Sequence, residues 1–118
     1  MKQSSEKVIK PTISDILLDI EDIKCTYKLQ LIKGERNGVG YSKIEKILIR
    51  IVSPIDYSIL RLEHSLYGGT TERTRMIDNT VKETVDRLSS YLEYEGFKKS
   101  NQINDTYSVD LYYENINK

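Results

Sequence analysis

The 118-residue chain sets 18 Lys and Arg against 18 Asp and Glu, holds one cysteine and one histidine, and has no alanine. The neutral balance counts against a dominant polyanion-binding surface, which shows as a basic excess, and a lone cysteine excludes an internal disulfide. At 38% hydrophobic and 31% charged residues the composition is globular, one domain over residues 1–118.

Residues 1–11 are polar and read as an N-terminal arm. Thr12-Ile13-Ser14-Asp15 fits a capping box, and Ile13, Ile16, Leu17 and Ile20 follow at helical spacing, so a short helix is expected over 13–22. The period then changes to two: Ile23, Cys25, Tyr27, Leu29 and Leu31 alternate with polar residues, as in a half-buried strand. Asn37-Gly38 suits a tight hairpin turn, and Ile47, Ile49 and Ile51 mark the returning strand.

Ser53-Pro54-Ile55-Asp56 reads as a capped helix start. Ile55, Ile59, Leu62 and Leu66 continue it to a stop at Gly68-Gly69, which favours helix over strand for 54–67. A longer helix carries the stripe Ile77, Val81, Val85, Leu88 and Leu92, with Met76, Thr84 and Tyr91 at its edges. Thr71 and Asp78 are both suited to cap it, and Gly96 ends it with Phe97 placed to pack back. Tyr107, Val109, Leu111 and Tyr113 then alternate as a C-terminal strand. The order α-β-β-α-α-β, without repeat or linker, implies an α+β fold: a small antiparallel sheet, hairpin plus C-terminal strand, covered by helices.

Chemistry-bearing residues are sparse. Asp15, Asp19, Asp22 and Glu21 sit where the wet face of a helix would put them. Glu93 and Glu95 fall on different azimuths of theirs. Cys25 is expected inside and His64 on the wet side of its helix, so a Cys–His nucleophile does not assemble. No metal-ligand spacing or nucleotide motif is present; Gly34 to Gly40 lacks the Gly-Lys-Ser/Thr ending of a phosphate loop. No enzyme activity, cofactor or metal is therefore expected.

Two candidate surfaces remain. Arg73 and Arg75 follow a Gly-Gly-Thr-Thr loop at a helix start and, with Lys98 and Lys99, are candidates for an anion or partner contact. Tyr67, Tyr94 and Tyr112 fall off the predicted core faces, and exposed Tyr is favoured at protein interfaces. The run Asp78 to Asp110, a helix through Tyr91-Leu92-Glu93-Tyr94-Glu95-Gly96-Phe97 and then a wing, loosely resembles the second half of a winged helix-turn-helix. That resemblance implies nucleic-acid binding, yet the helix is net acidic, unlike an element approaching phosphates.

The order hairpin, helix, helix, strand is similar to small phage head–tail connector and tail-terminator subunits, which form rings. The resemblance is one of element order only. It implies a non-catalytic protein-binding or assembly subunit, with a phage inhibitor of a host protein in the same class. No apolar run approaches the ~20 residues of a membrane span, and Met1–Lys7 lacks a signal-peptide core. Abundant Ile, Lys, Asn and Tyr with no Ala follow AT-rich codons. The expected setting is the cytoplasm of a low-GC bacterium or the virion of its phage.

Overall fold

The computed structural model describes residues 6–36, 39–57, 59 and 72–116. Helix α1 (Glu6–Asp22) leads into strands β1 (Thr26–Arg36) and β2 (Val39–Val52). Helix α2 (Glu72–Tyr94) leads into strands β3 (Phe97–Asn104) and β4 (Ser108–Asn115). Between β2 and α2 the backbone is helical at 55–57 and 59. All strand pairs are antiparallel, in the order β1-β2-β4-β3. The α+β class and the expected element order are present, with one strand more than the sequence pattern showed.

That extra strand is β3. Of Lys98-Lys99-Ser100-Asn101-Gln102-Ile103-Asn104 only Ile103 is apolar, so no period-two signal marks it. Its pairing with β4 creates the strand. The Asn37-Gly38 turn and the helix expected beyond residue 59 lie outside the described residues.

The N-terminal arm is corrected from residue 6 onward. Helix α1 starts at Glu6, and Ile9 joins Ile13, Ile16, Leu17 and Ile20 in one buried stripe. Full burial of an Ile side chain stabilises by roughly 1.5–3 kcal/mol, which helps draw the helix about two turns upstream of its expected start. Pro11 lies inside it, and the backbone bond it forfeits is to the carbonyl of Lys7, an exposed residue. Thr12 is not the cap; its hydroxyl donates to the Val8 carbonyl at 3.1 Å. In α2, Asp78 likewise lies inside the helix, not at its start.

Both helices leave through a left-handed residue. Lys24 (φ 67°) follows α1 and Gly96 (φ 96°) follows α2, 72 positions later (96 − 24). The Lys24 amide donates to the Glu21 carbonyl at 2.9 Å, and the Gly96 amide donates to Glu93, again 72 later, at 3.0 Å. The Cys25 amide closes the first turn on the Ile20 carbonyl at 2.9 Å, which completes a Schellman cap. Gly meets positive φ without a steric cost, whereas Lys carries one.

This spacing exposes an internal repeat of topology that the sequence reading had not found. Ile9, Ile13, Ile16 and Ile20 of α1 correspond to Val81, Val85, Leu88 and Leu92 of α2 at the same offset. A half-turn about an axis normal to the sheet, between β2 and β4, carries α1-β1-β2 onto α2-β3-β4. The inner-face pairs then match. Tyr27–Ile51, Leu29–Ile49 and Leu31–Ile47 in the first half correspond to Lys99–Tyr113, Gln102–Leu111 and Asn104–Val109 in the second. The one-residue difference on β3 is absorbed by its irregularity between Lys99 and Asn101.

Helix stripes and inner strand faces meet in one core, which includes Ile47, Ile49, Ile51, Leu111, Tyr113, Phe97 and Cys25. One polar contact ties helix to sheet and a second ties two neighbouring strands. The Tyr113 hydroxyl shares a 2.9 Å hydrogen bond with Ser89 on α2, and the buried Asn115 amide donates to the Ile44 carbonyl at 2.8 Å. On their solvent sides the helices are bridged by Arg87 and Asp19.

Candidate interaction surfaces

The outward-pointing residues of the sheet form three cross-strand rows. These are Lys28–Arg50–Asp110–Ile103, Gln30–Leu48–Tyr112–Asn101 and Ile32–Lys46–Glu114–Lys98. Lys28, Gln30, Lys46 and Arg50 are exposed, so no described helix covers this face. An antiparallel sheet accommodates that arrangement because side chains alternate between its faces. The acids of β4 stand between bases: Arg50 donates to Asp110 through Nε at 2.7 Å and Nη2 at 3.0 Å, and Glu114 lies between Lys46 and Lys98 in register. The Arg50 hydrogen bond holds the Asp110 carboxyl below its ordinary range and raises the Arg50 guanidinium. At the centre Leu48 and Tyr112 are directly opposed and half-buried, in a trough of ≈ 500 Å³.

A second concavity, ≈ 380 Å³, lies between α2 and the β3–β4 hairpin. Val81, Val85 and Val109 form its apolar floor, and Asp78, Lys82, Asp86, Lys99 and Gln102 stand around it. Lys99 donates to Gln102 at 2.6 Å, and the Gln102 amide donates to Asn104 at 2.9 Å, so the inner face of β3 bonds along itself. At one end Tyr57 donates to Asp78 at 2.8 Å and meets Tyr107 edge-on, with ring centroids 6.2 Å apart.

The four expected basic residues are not brought together. Arg73 and Arg75 lie in the first turn of α2, Lys98 and Lys99 beyond its other end, and a helix of this length spans about 34 Å. Arg73 is engaged with the protein itself, donating to Asp56 and to the Ile23 carbonyl, each at 3.2 Å. Arg75 is exposed beside Glu72, Met76, Asn79 and Glu83. Lys98 stands on the outer sheet face, while Lys99 turns into the helix–hairpin groove.

Of the expected tyrosines, Tyr112 stands on the outer face. Tyr94 is 68% exposed at the end of α2, in the layer on the opposite side of the sheet, so the two share no surface. Tyr67 and His64 lie outside the described residues. Cys25 is buried, and burial pushes its thiol up to about 11, with Arg73 lowering it less. A neutral thiol is a poor nucleophile. Among the described residues no three His, Cys, Asp or Glu side chains converge as a metal would need.

The Arg50–Asp110 bridge escaped the sequence reading because its partners lie 60 positions apart. Only the β2–β4 register unites them. Searches of protein families, curated proteins and solved structures find no match to this chain.

Proposed function

We propose that this chain is a non-catalytic protein-binding or assembly subunit, and that its residue bias reflects a low-GC bacterium or its phage. The observation that carries the reading is the outer sheet face, where a Leu48–Tyr112 apolar centre is rimmed by charges of both signs, with Arg50 and Asp110 bonded across strands. Aromatic and apolar centres within polar rims suit protein partners. A phosphate backbone favours an uninterrupted run of bases instead, whereas Asp110 and Glu114 interrupt the bases of this face. The helix-and-hairpin half, likened above to a winged helix, has β4 built into the middle of the sheet instead of standing free as a wing.

The test pairs affinity capture from a candidate host extract with fluorescence anisotropy on labelled DNA at low and physiological salt. A specific partner should be retained by the wild-type chain and lost with Tyr112→Asp, while circular dichroism shows the fold intact. DNA binding that falls steeply with salt, with the same partner retained by Tyr112→Asp, would overturn the reading.

A further inference from the structure

Among the described residues both outer strands of the sheet present a backbone edge, and the two edges are built differently. The β3 edge is guarded. It opens with Lys98 and Lys99, breaks register between Lys99 and Asn101, and turns Lys99, Gln102 and Asn104 to the inner side. Lysines, bulges and inward polar groups are the means by which sheets avoid pairing with other chains. Over Thr26–Ile32 the β1 edge has neither a bulge nor an inward polar group, and one lysine. Those residues pair with Val52–Lys46 in unbroken register, contain no proline, and carry only Lys28 as a charge. Their inner side chains Tyr27, Leu29 and Leu31 pack on the core yet stay half-exposed, as they would where a further strand is wanting.

We propose that β1 is a self-association edge: two copies pair antiparallel through Thr26–Ile32 and join their sheets into one of eight strands, helices on the same side. This rests on the protein-binding reading above and names the partner as a second copy of the chain. A twofold axis normal to the sheet relates the copies, the same operation that relates the two halves within one chain. Side-chain chemistry selects the register. Centred on Leu29, it sets Leu29 against Leu29 of the other copy, Tyr27 against Leu31 and Lys28 against Gln30, so apolar meets apolar and no like charges face each other. Shifted two residues one way, Lys28 opposes Lys28; shifted the other way, Tyr27 opposes Lys33, which is already paired with Glu6 at 3.2 Å. Gly34, at the irregularity that follows Lys33, ends the regular stretch.

Sedimentation equilibrium and light scattering on the full chain test this, with hydrogen exchange as the site-resolved readout. The expected result is a concentration-dependent dimer in which amides of Thr26–Ile32 gain protection while those of β3 do not. Gln30 is exposed on the outer face, so its charge can be changed without touching the core. Gln30→Glu, opposite Lys28 twice in the dimer, should tighten association about fivefold, and Gln30→Lys should weaken it about fivefold. Thermal melts of both variants at low concentration serve as the folding control. A chain that stays monomeric overturns the proposal and leaves the protein-binding reading to its own test. A dimer indifferent to the charge at residue 30, or with unprotected β1 amides, also overturns it and moves the interface elsewhere. Protection of β1 only on binding a different protein overturns self-pairing while supporting the broader reading.

Discussion

The α1-β1-β2 half ends the sheet in Tyr27, Leu29 and Leu31; the α2-β3-β4 half ends it, at matching places, in Lys99, Gln102 and Asn104. Both halves share a helix stripe, a left-handed turn and an inner strand rich in apolar residues. What makes the αββ unit is thus the stripe, the turn and the inner strand, and the outer strand is held by backbone pairing to its neighbour. Its side chains are free to answer to what lies beyond. In the second half that is a polar groove under α2; in the first, among the described residues, it is an open edge.

The residue after each turn gives the largest expected contrast. Phe97 and Cys25 occupy matching positions, and both are buried. Phe97 is the one buried residue of β3, whose other apolar side chain, Ile103, is exposed, so Phe97→Ala should cost about 3–5 kcal/mol. Cys25→Ala should cost about 1 kcal/mol, because Ile23, Tyr27 and Leu29 still hold β1. Urea unfolding gives both values. Equal losses would break the view that the two outer strands are anchored differently.

The turns themselves should respond with opposite signs. Gly96→Ala puts a Cβ on a residue at positive φ and should destabilise by about 1–2 kcal/mol. Lys24→Gly removes one there and should stabilise by about 1 kcal/mol. Thermal melts measure the pair, and a loss on Lys24→Gly would mean that the lysine side chain makes a contact outweighing its backbone strain.

A smaller contrast separates Tyr113 from Ile51, its counterpart in the first half. Tyr113 bonds Ser89 where the first half has Ile51 and Leu17. Tyr113→Phe should cost about 1 kcal/mol at neutral pH. Burial raises the Tyr113 phenol above its ordinary value of 10, with the Ser89 hydrogen bond opposing more weakly. The fold therefore favours the neutral phenol. That contribution is fully present below pH 10 and is lost as pH rises beyond 10 through the raised value. The stability gap between wild type and Tyr113→Phe should narrow there, as denaturation at pH 7 and above pH 10 would measure.

Much of this architecture was legible in the residues. The stripes of α2 and β2, the stop at Gly96 and the return of Phe97 needed only periodicity and a cap. Three features were hidden, each for a physical reason. Ile9 was obscured by Pro11, which reads as a helix boundary because it forfeits a backbone bond, yet lies inside α1. Strand β3 was obscured because its hydrogen bonds come from β4 and not from its own pattern. The repeat was obscured because its halves agree in residue type only at buried helix positions and along the inner strand, while the turns (Lys24, Gly96) agree only in conformation. The surfaces were less legible: Tyr112 stood out as off the core face, but its Leu48 partner and the Arg50–Asp110 bridge depend on a pairing 60 positions apart.

The smallest expected effect concerns that bridge, which distinguishes the outer faces of the two halves. Asp110 on β4 corresponds to Leu48 on β2, so the charge pair belongs to one side of the axis only. Because the Arg50 hydrogen bond lowers the Asp110 carboxyl below its ordinary 3.8, the fold favours the ionised form. The contribution is present above pH 3.8 and disappears as pH falls through the depressed value. Arg50 is solvent-exposed, so screening keeps the effect modest and salt-sensitive. Asp110→Asn should flatten the acid limb of the stability curve below pH 4 and leave the Tyr113 alkaline limb untouched. Carboxyl titration by NMR should find Asp110 among the most acidic side chains in wild type, and an ordinary value for it in Arg50→Gln. An unshifted carboxyl in both would mean that the two side chains stand apart in solution, leaving the bases of the outer face free and strengthening the case for an anionic partner there.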